Sequence, residues 1–303
     1  MAEAYAIING NKVDTAWFNG REYGSAWLNG ELIWGEVTQR PADQYSDWYN
    51  VYVVNIEEEG GADITTHQFG VNLRTSFGGV QLEGGTSQTR HLPKGQHTVM
   101  TTGTISVQQA LYDDYTPTQH SEKYVKKVLK CSLPKSEDVL PELKEKMETM
   151  EASRLFAGFF KCEEIDLSQL DLSESENCHD LFTHVGLNFG SFSIACKITG
   201  WEYVKFFAPE DISNLFAFSN IDTTDYNWVY VDWYTKKMEG CFANYKKKEL
   251  HIETWNTAGV NDYTARNMFI GVSDCKIYIG ADWTLSVEPD ALGGRNLEFI
   301  RVY

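Results

Sequence analysis

The sequence lacks any long apolar run. No stretch reaches the roughly 18 consecutive apolar residues that read as a membrane-spanning helix, so we expect no membrane span. Its first ten residues contain neither a basic segment nor a long apolar core and do not resemble a secretory signal peptide. Unless a signal has been removed, we expect a protein that works inside the cell or leaves it by another route, such as lysis.

Basic residues are scarce. The chain has 26 lysines and arginines against 43 aspartates and glutamates, which gives a formal net charge of −17. Because a nucleic-acid-binding protein needs a basic surface to neutralise phosphates, we expect no nucleic-acid partner. An apolar content of 42% supports packed cores and argues against global disorder. The length of 303 residues favours two or three domains.

Recognisable catalytic and metal-binding motifs are missing. The sequence has no Gly-x-Ser-x-Gly, no phosphate-binding loop and no His-Glu-x-x-His. His179 and His184 are five residues apart, which does not suit a pair of helical metal ligands, and the six cysteines form no Cys-x-x-Cys pair. We therefore predict a non-enzymatic protein with no metal, no cofactor and reduced, buried cysteines. Disulfides and a glycan-cleaving pair of carboxylates remain the alternatives.

A ten-residue repeat opens the chain. Asn-Gly pairs begin at Asn9, Asn19 and Asn29. Asn-Gly between apolar runs is typical of tight hairpin turns, because both residues tolerate positive φ. We predict an antiparallel β-meander over residues 1–37, with strands at 6–8, 12–18, 21–28 and 31–34.

Three tryptophans lie in this short segment. A sheet of this size has no interior that could cover them, so we predict that it attaches to a partner through these side chains. The partner-binding candidates are Trp17, Trp27 and Trp34. The alternative is that they pack against the next domain of the same chain.

Residues 38–122 form a second region in which short alternating runs are separated by glycine-rich turns. This pattern predicts a small β-sandwich-like domain. Its expected strands lie at 48–56, 69–73, 79–82 and 97–105.

A longer repeat organises residues 123–303. A Leu-Phe-like pair recurs at spacings of 26, 34, 26 and 27 residues. A fixed period of this size indicates a solenoid, in which each copy contributes one short strand and one turn to a shared core. We predict that the phenylalanines of these pairs are buried in register and that a helix precedes them at 141–150. The phenylalanines are Phe156, Phe182, Phe216, Phe242 and Phe269.

Two copies carry a family resemblance. The segment from Cys162 to Phe182 contains Cys-Glu-Glu-Ile-Asp-Leu-Ser and ends Leu-Phe, and the segment from Trp255 to Phe269 begins Trp-Asn-Thr and ends Asn-Met-Phe. They resemble repeats of the BspA-like leucine-rich-repeat family, and the likeness covers residues 150–286. This resemblance implies a solenoid that presents a binding surface. The fold class expected for the chain is thus mainly β with short helices: a meander, a sandwich-like domain and a C-terminal BspA-type solenoid with a terminal cap.

The alternating runs of the repeat predict a ligand surface. If valines, leucines and isoleucines of these runs point inward, their neighbours point outward on one face. The candidates are Tyr230, Asp232, His251, Glu253 and Tyr278. Aromatic rings beside carboxylates suit sugar or protein recognition, and a simple solvated sheet face is the alternative.

Two functions follow as hypotheses. The Asn-Gly segment also resembles parts of phage tail and appendage proteins, which implies a virion protein that attaches by residues 1–37 and displays its repeats to a host receptor. Its expected partners are other virion proteins or copies of itself, and a glycan or protein of the host surface. The alternative is an adhesin-like leucine-rich-repeat protein of the bacterial cell surface that binds protein or glycan.

Overall fold

The computed structural model describes residues 42–105, 121–147, 152–172, 175–186, 194–206, 209–288 and 292–303, and the backbone of six short strands between residues 6 and 35. The chain divides into two compact units. The first consists of Met1–Ala42 with Tyr303, and the second of Asp43–Val302. Across the described residues the protein is mainly β, with several open sheets.

The first unit contains three β-hairpins. Each pairs two strands across two intervening residues, and these are the three Asn-Gly pairs, as predicted. Among the described residues these strands pair as three two-stranded sheets, and the single meander expected from the sequence stays a prediction. The strands are β1 Ala6–Ile8, β2 Asn11–Val13, β3 Ala16–Phe18, β4 Arg21–Tyr23, β5 Ser25–Leu28 and β6 Glu31–Gly35.

The second unit begins with an antiparallel β-rich region. Its strands are β7 Asn50–Ile56, β8 Ala62–His67, β9 Arg74–Phe77, β10 Val80–Glu83, β11 Ser87–Leu92 and β12 Gly95–Thr101. Strands β10, β9, β12 and β7 lie side by side, and β8 and β11 form a second sheet. Both sheets contribute to one core, through Val54 and Phe77 from the first and Ile64 from the second.

The strand predicted at 69–73 is wrong. Gly70 has a φ of 76°, a left-handed conformation that turns the backbone, and its carbonyl accepts the Leu140 amide. Phe69 is buried in a small cluster with Val139 instead of joining a strand. Paired residues begin at Arg74, where β9 starts.

One strand joins the β-rich region to the repeats. Strand β13, Val125–Cys131, pairs antiparallel with β7 and parallel with β14, Glu164–Asp166. Strand β14 in turn pairs parallel with β16, Lys197–Thr199. The result is one seven-stranded sheet that changes from antiparallel to parallel at β13.

The remaining elements are short. They are the parallel pair β15 Asp171–Leu172 and β17 Lys205–Phe206, the parallel sheet β18 Glu249–Ile252, β19 Lys276–Ile279 and β20 Glu298–Arg301, and 3₁₀ helices at Ser121–Tyr124, Pro141–Met147 and Trp201–Tyr203. The helix predicted at 141–150 is therefore a 3₁₀ helix over its described part.

The five repeat phenylalanines stack in register, as predicted. Each is at most 1% exposed, and neighbouring rings lie 5.1, 5.5, 5.5 and 6.1 Å apart with interplanar angles of 20° or less. The backbone amide of each also donates to a carbonyl of the next copy. The first of these bonds joins Phe156 to Leu181, and the last joins Phe269 to Leu292. We call these five residues the register phenylalanines. All six cysteines are buried free thiols, which agrees with their predicted burial.

Left-handed residues flank every register phenylalanine. Two positions before it, φ lies between 55° and 63° in Arg154, Asp180, Asn214, Gly240 and Asn267. Two positions after it, φ lies between 57° and 80° in Gly158, His184, Phe218, Asn244 and Gly271. We call these the leading and trailing columns. Gly, Asn and Asp tolerate this conformation best, so Phe218 is the residue least suited to its position.

Candidate functional site

The structure brings three of the predicted ligand-surface residues together. His251 on β18 and Tyr278 on β19 are paired neighbours, and their rings stack at 4.2 Å with an interplanar angle of 2°. The Nδ1 of His251 lies 2.8 Å from the Oε1 of Glu253. The group faces outward because Leu250, Ile252, Ile277 and Ile279, which alternate with it, are fully buried.

Two further residues complete this group. Asp225 is bridged to His251 in the neighbouring copy, and the Asn227 Nδ2 donates to Glu253 Oε2 at 2.6 Å and to Asp225 Oδ1 at 2.8 Å. The Oδ1 of Asn227 in turn accepts the Thr254 amide at 2.8 Å. Neither residue was among the predicted ligand-surface residues, although Asp-x-Asn is typical of a turn in which the Asp side chain accepts the backbone amide two residues on, as Asp225 accepts the Asn227 amide here.

Tyr230 and Asp232 lie elsewhere in the repeat. The Asn256 amide donates to the Val231 carbonyl, so 229–231 lies beside the segment that follows β18 and not beside β18. Tyr230 and Asp232 are therefore not direct strand neighbours of His251, and the prediction that all five residues form one ligand surface stays a prediction. Val229 and Val231 are nevertheless buried, as expected. An alternating apolar run indicates which side chains are buried, but it does not fix where the run lies in the repeat.

A second group surrounds Asp232. Its Oδ2 accepts the Tyr230 hydroxyl at 2.7 Å, and its Oδ1 accepts the Trp233 amide at 2.7 Å. Partial burial, together with the neighbouring carboxylate, raises the pKa of Tyr230 to about 12, so this hydroxyl keeps its proton at neutral pH. Trp233 and Tyr234 follow directly, and both are about half exposed.

Charge alternates along the outward strand faces. Lys127, Glu164 and Lys197 occupy adjacent positions on β13, β14 and β16, and Lys127 pairs with Glu164 at 2.9 Å. Glu249, Lys276 and Glu298 repeat the alternation on β18, β19 and β20. Opposite charges on neighbouring strands stabilise their register, so we assign these rows to the fold and not to a ligand.

A cleft of about 720 Å³ opens in the β-rich region. Its walls combine apolar residues, such as Leu73 and Leu140, with the side chains of Arg74, Glu83 and Asp138. The Tyr49 hydroxyl donates to Asp138 at 3.4 Å, and the Arg74 guanidinium packs over Trp48 at 4.5 Å. Its mixed charges favour no single class of ligand.

The predicted attachment residues lie in the hairpins. The backbone of Trp17 pairs with Glu22, that of Trp27 with Leu32 and that of Trp34 with Ala26. Their side chains lie outside the described residues, so their predicted partner contact stays a prediction.

Comparison with known proteins gives no match: no family model matches the chain, and neither curated proteins nor solved structures show significant similarity. In the described part of the chain, no helix is long and apolar enough to cross a membrane. The same part holds no cluster of three or more His, Cys, Asp or Glu residues arranged to bind a metal ion.

Proposed function

We propose that the copies following β13 form a BspA-like leucine-rich-repeat solenoid. Three features support this proposal. Strand β14 pairs parallel with β16, β18 with β19, and β19 with β20. Each copy has one stacked phenylalanine, and in each of the first four copies four amides around that residue donate to carbonyls of the next copy. Each copy leaves an apolar face that only its neighbours cover, which is the property of a solenoid. Strand β13 covers the first copy from the side of the β-rich region.

We further propose that the protein is a non-enzymatic virion component of a bacteriophage. In this proposal residues 1–37 attach it to other virion proteins or to copies of itself, and the repeats are displayed to a glycan or protein of the host surface. The observation that carries the proposal is the division of the chain into a small hairpin unit and a large repeat-bearing unit. Such a division separates attachment from display.

The test is to search for the chain in purified virions by mass spectrometry and to measure incorporation of a variant that lacks residues 1–37. We expect the shortened chain to fold, with a β-type circular-dichroism spectrum and a cooperative unfolding curve, and to be missing from particles. A matched control is Tyr263→Ala, which removes an aromatic side chain that is 73% exposed on the repeats and should leave incorporation unchanged.

Normal incorporation of the shortened chain would contradict attachment through the hairpins. A chain that is found on the bacterial surface and never in particles would favour the adhesin-like alternative. That alternative depends on the resemblance of the repeats, because BspA-like repeats occur mostly on bacterial surface proteins.

A further inference from the structure

The turn from Tyr230 to Lys236 concentrates exposed aromatic rings. Tyr230 is 50% exposed, Trp233 50% and Tyr234 46%. The rings of Trp233 and Tyr234 pack on each other with centroids 3.6 Å apart. They form one packed pair, with an angle of 31° between the ring planes, that stays about half in solvent. Contact between the rings reduces the side-chain entropy that remains to be lost when a ligand covers them.

The fold does not require this exposure. The Asn256 amide donates to the Val231 carbonyl and the Thr257 amide to the Asp282 carbonyl, so the turns that contain Asp232 and Asp282 flank the same segment. Each aspartate is followed by a tryptophan, yet Trp283 is 2% exposed whereas Trp233 is half exposed. The same local sequence can thus bury its indole in this array, and Trp233 does not.

Polar groups with fixed geometry lie beside the rings. The Asp232 carboxylate is held by the Tyr230 hydroxyl and the Trp233 amide, each at 2.7 Å. The Lys236 ammonium donates to the Trp233 carbonyl at 3.4 Å and lies 5.9 Å from the indole centroid. A carboxylate that can accept hydrogen bonds from hydroxyl groups and an ammonium that can donate them therefore lie close to the indole of Trp233.

We propose that this turn binds a pyranose ring of a host-surface glycan, an inference that rests on the proposed display function and specifies its ligand. The C–H face of a pyranose is apolar and suits an indole, while its hydroxyls need donors and acceptors at the rim. A protein partner fits less well, because a stable protein interface covers roughly 800 Å² on each side. One seven-residue turn offers only a small part of that area.

The experiment uses the full chain and methyl glycosides of glucose, galactose, mannose and N-acetylglucosamine, with binding followed by saturation-transfer NMR and titration. We expect at least one glycoside to bind. Trp233→Ala should weaken that binding by about tenfold or more, which corresponds to the loss of roughly 1.4 kcal/mol of stacking. Asp232→Asn should weaken it less, and the control Tyr263→Ala should leave it within about twofold.

A second measurement guards against misfolding of the variant. The indole N–H signal of Trp233, assigned by its loss in Trp233→Phe, should shift on addition of the glycoside to the unmodified chain. Absence of binding by all four glycosides, or equal binding by Trp233→Ala, overturns the glycan site. The outcome is separate from virion incorporation, which these substitutions should not alter: normal incorporation with no glycoside binding would reject the site and leave the proposed attachment intact.

Discussion

Replacement of Phe242 by alanine tests the packing of the repeats. Its ring is fully buried and contacts five other aromatic rings. Phe216 and Phe269 stack on its two sides at 5.5 and 6.1 Å, and Trp255 lies at 5.5 Å. Tyr226 and Tyr245 meet it edge-on at 5.2 and 5.8 Å.

The expected cost is large. Truncation of a buried phenylalanine to alanine costs about 3–5 kcal/mol, because transfer energy is lost and a cavity remains. Each aromatic contact adds about 0.5–1.5 kcal/mol beyond burial, although these terms do not add fully when they share a ring. Since five rings surround the site, we expect a loss near the upper end, about 4–5 kcal/mol.

Chemical denaturation followed by circular dichroism measures this loss as a change in the free energy of unfolding. Phe218→Ala is the matched control, since Phe218 lies two residues after a register phenylalanine but is 39% exposed. Removal of the Phe218 ring should lower the free energy of unfolding by less than about 1 kcal/mol. Equal effects of the two substitutions, or a cost below about 1.5 kcal/mol for Phe242→Ala, would refute the stacked core.

Two further predictions concern the trailing column and pH. Phe218 has a φ of 57°, whereas the other positions of the column include Asn244 and two glycines, so Phe218→Gly should relieve about 1 kcal/mol of backbone strain. Loss of the stacking contact with His184 at 4.8 Å offsets part of this gain. A thermal melt should therefore show an unchanged or higher midpoint, and a clearly lower midpoint would contradict the predicted strain. Burial lowers the pKa of His67 and His184 below 6.5. These two side chains therefore bind fewer protons in the folded chain than in the unfolded chain as pH falls below about 6.5, so their contribution to stability is complete above that pH and is lost below it. Between pH 7.5 and pH 5.5, the free energy of unfolding should fall less for His184→Gln than for the unmodified chain. An equal fall would show that His184 does not contribute to the pH dependence of stability.

The sequence predicts the repeat and the hairpins well for physical reasons. A large ring that must be buried once per copy leaves a period in the sequence, and the register phenylalanines follow it even across the 34-residue copy. An Asn-Gly pair between short apolar runs similarly favours a hairpin, and the strands on either side of all three pairs are antiparallel partners. In the first case a recurring large side chain carries the signal, and in the second two adjacent residues carry it.

The candidate site was predicted less well, because its residues depend on neighbouring copies. Nothing in Val229-Tyr230-Val231 distinguishes it from Leu250-His251-Ile252, yet Asp225 and not Tyr230 lies beside His251. Trp233 and Trp283 each follow an aspartate, yet Trp233 is half exposed and Trp283 is buried. Asp180, Asn214, Gly240 and Asn267 are residue types that favour positive φ, so they are a sequence signal for the left-handed columns. Arg154, His184 and Phe218 occupy equivalent positions without being such residue types, and the pattern was therefore not predicted.

The double role of β13 has a consequence for the preparation of fragments. A cut between residues 122 and 123 falls just before a strand whose Val125, Val128 and Cys131 are buried in a core shared by both sides. A fragment that ends there would leave residues 50–54 of β7 as an unpaired edge and would remove these buried side chains from the core that they share with Val54. Open edges of this kind recruit other chains into aggregates. A soluble β-rich fragment should therefore extend to at least residue 131, and a repeat fragment should keep β7 with it.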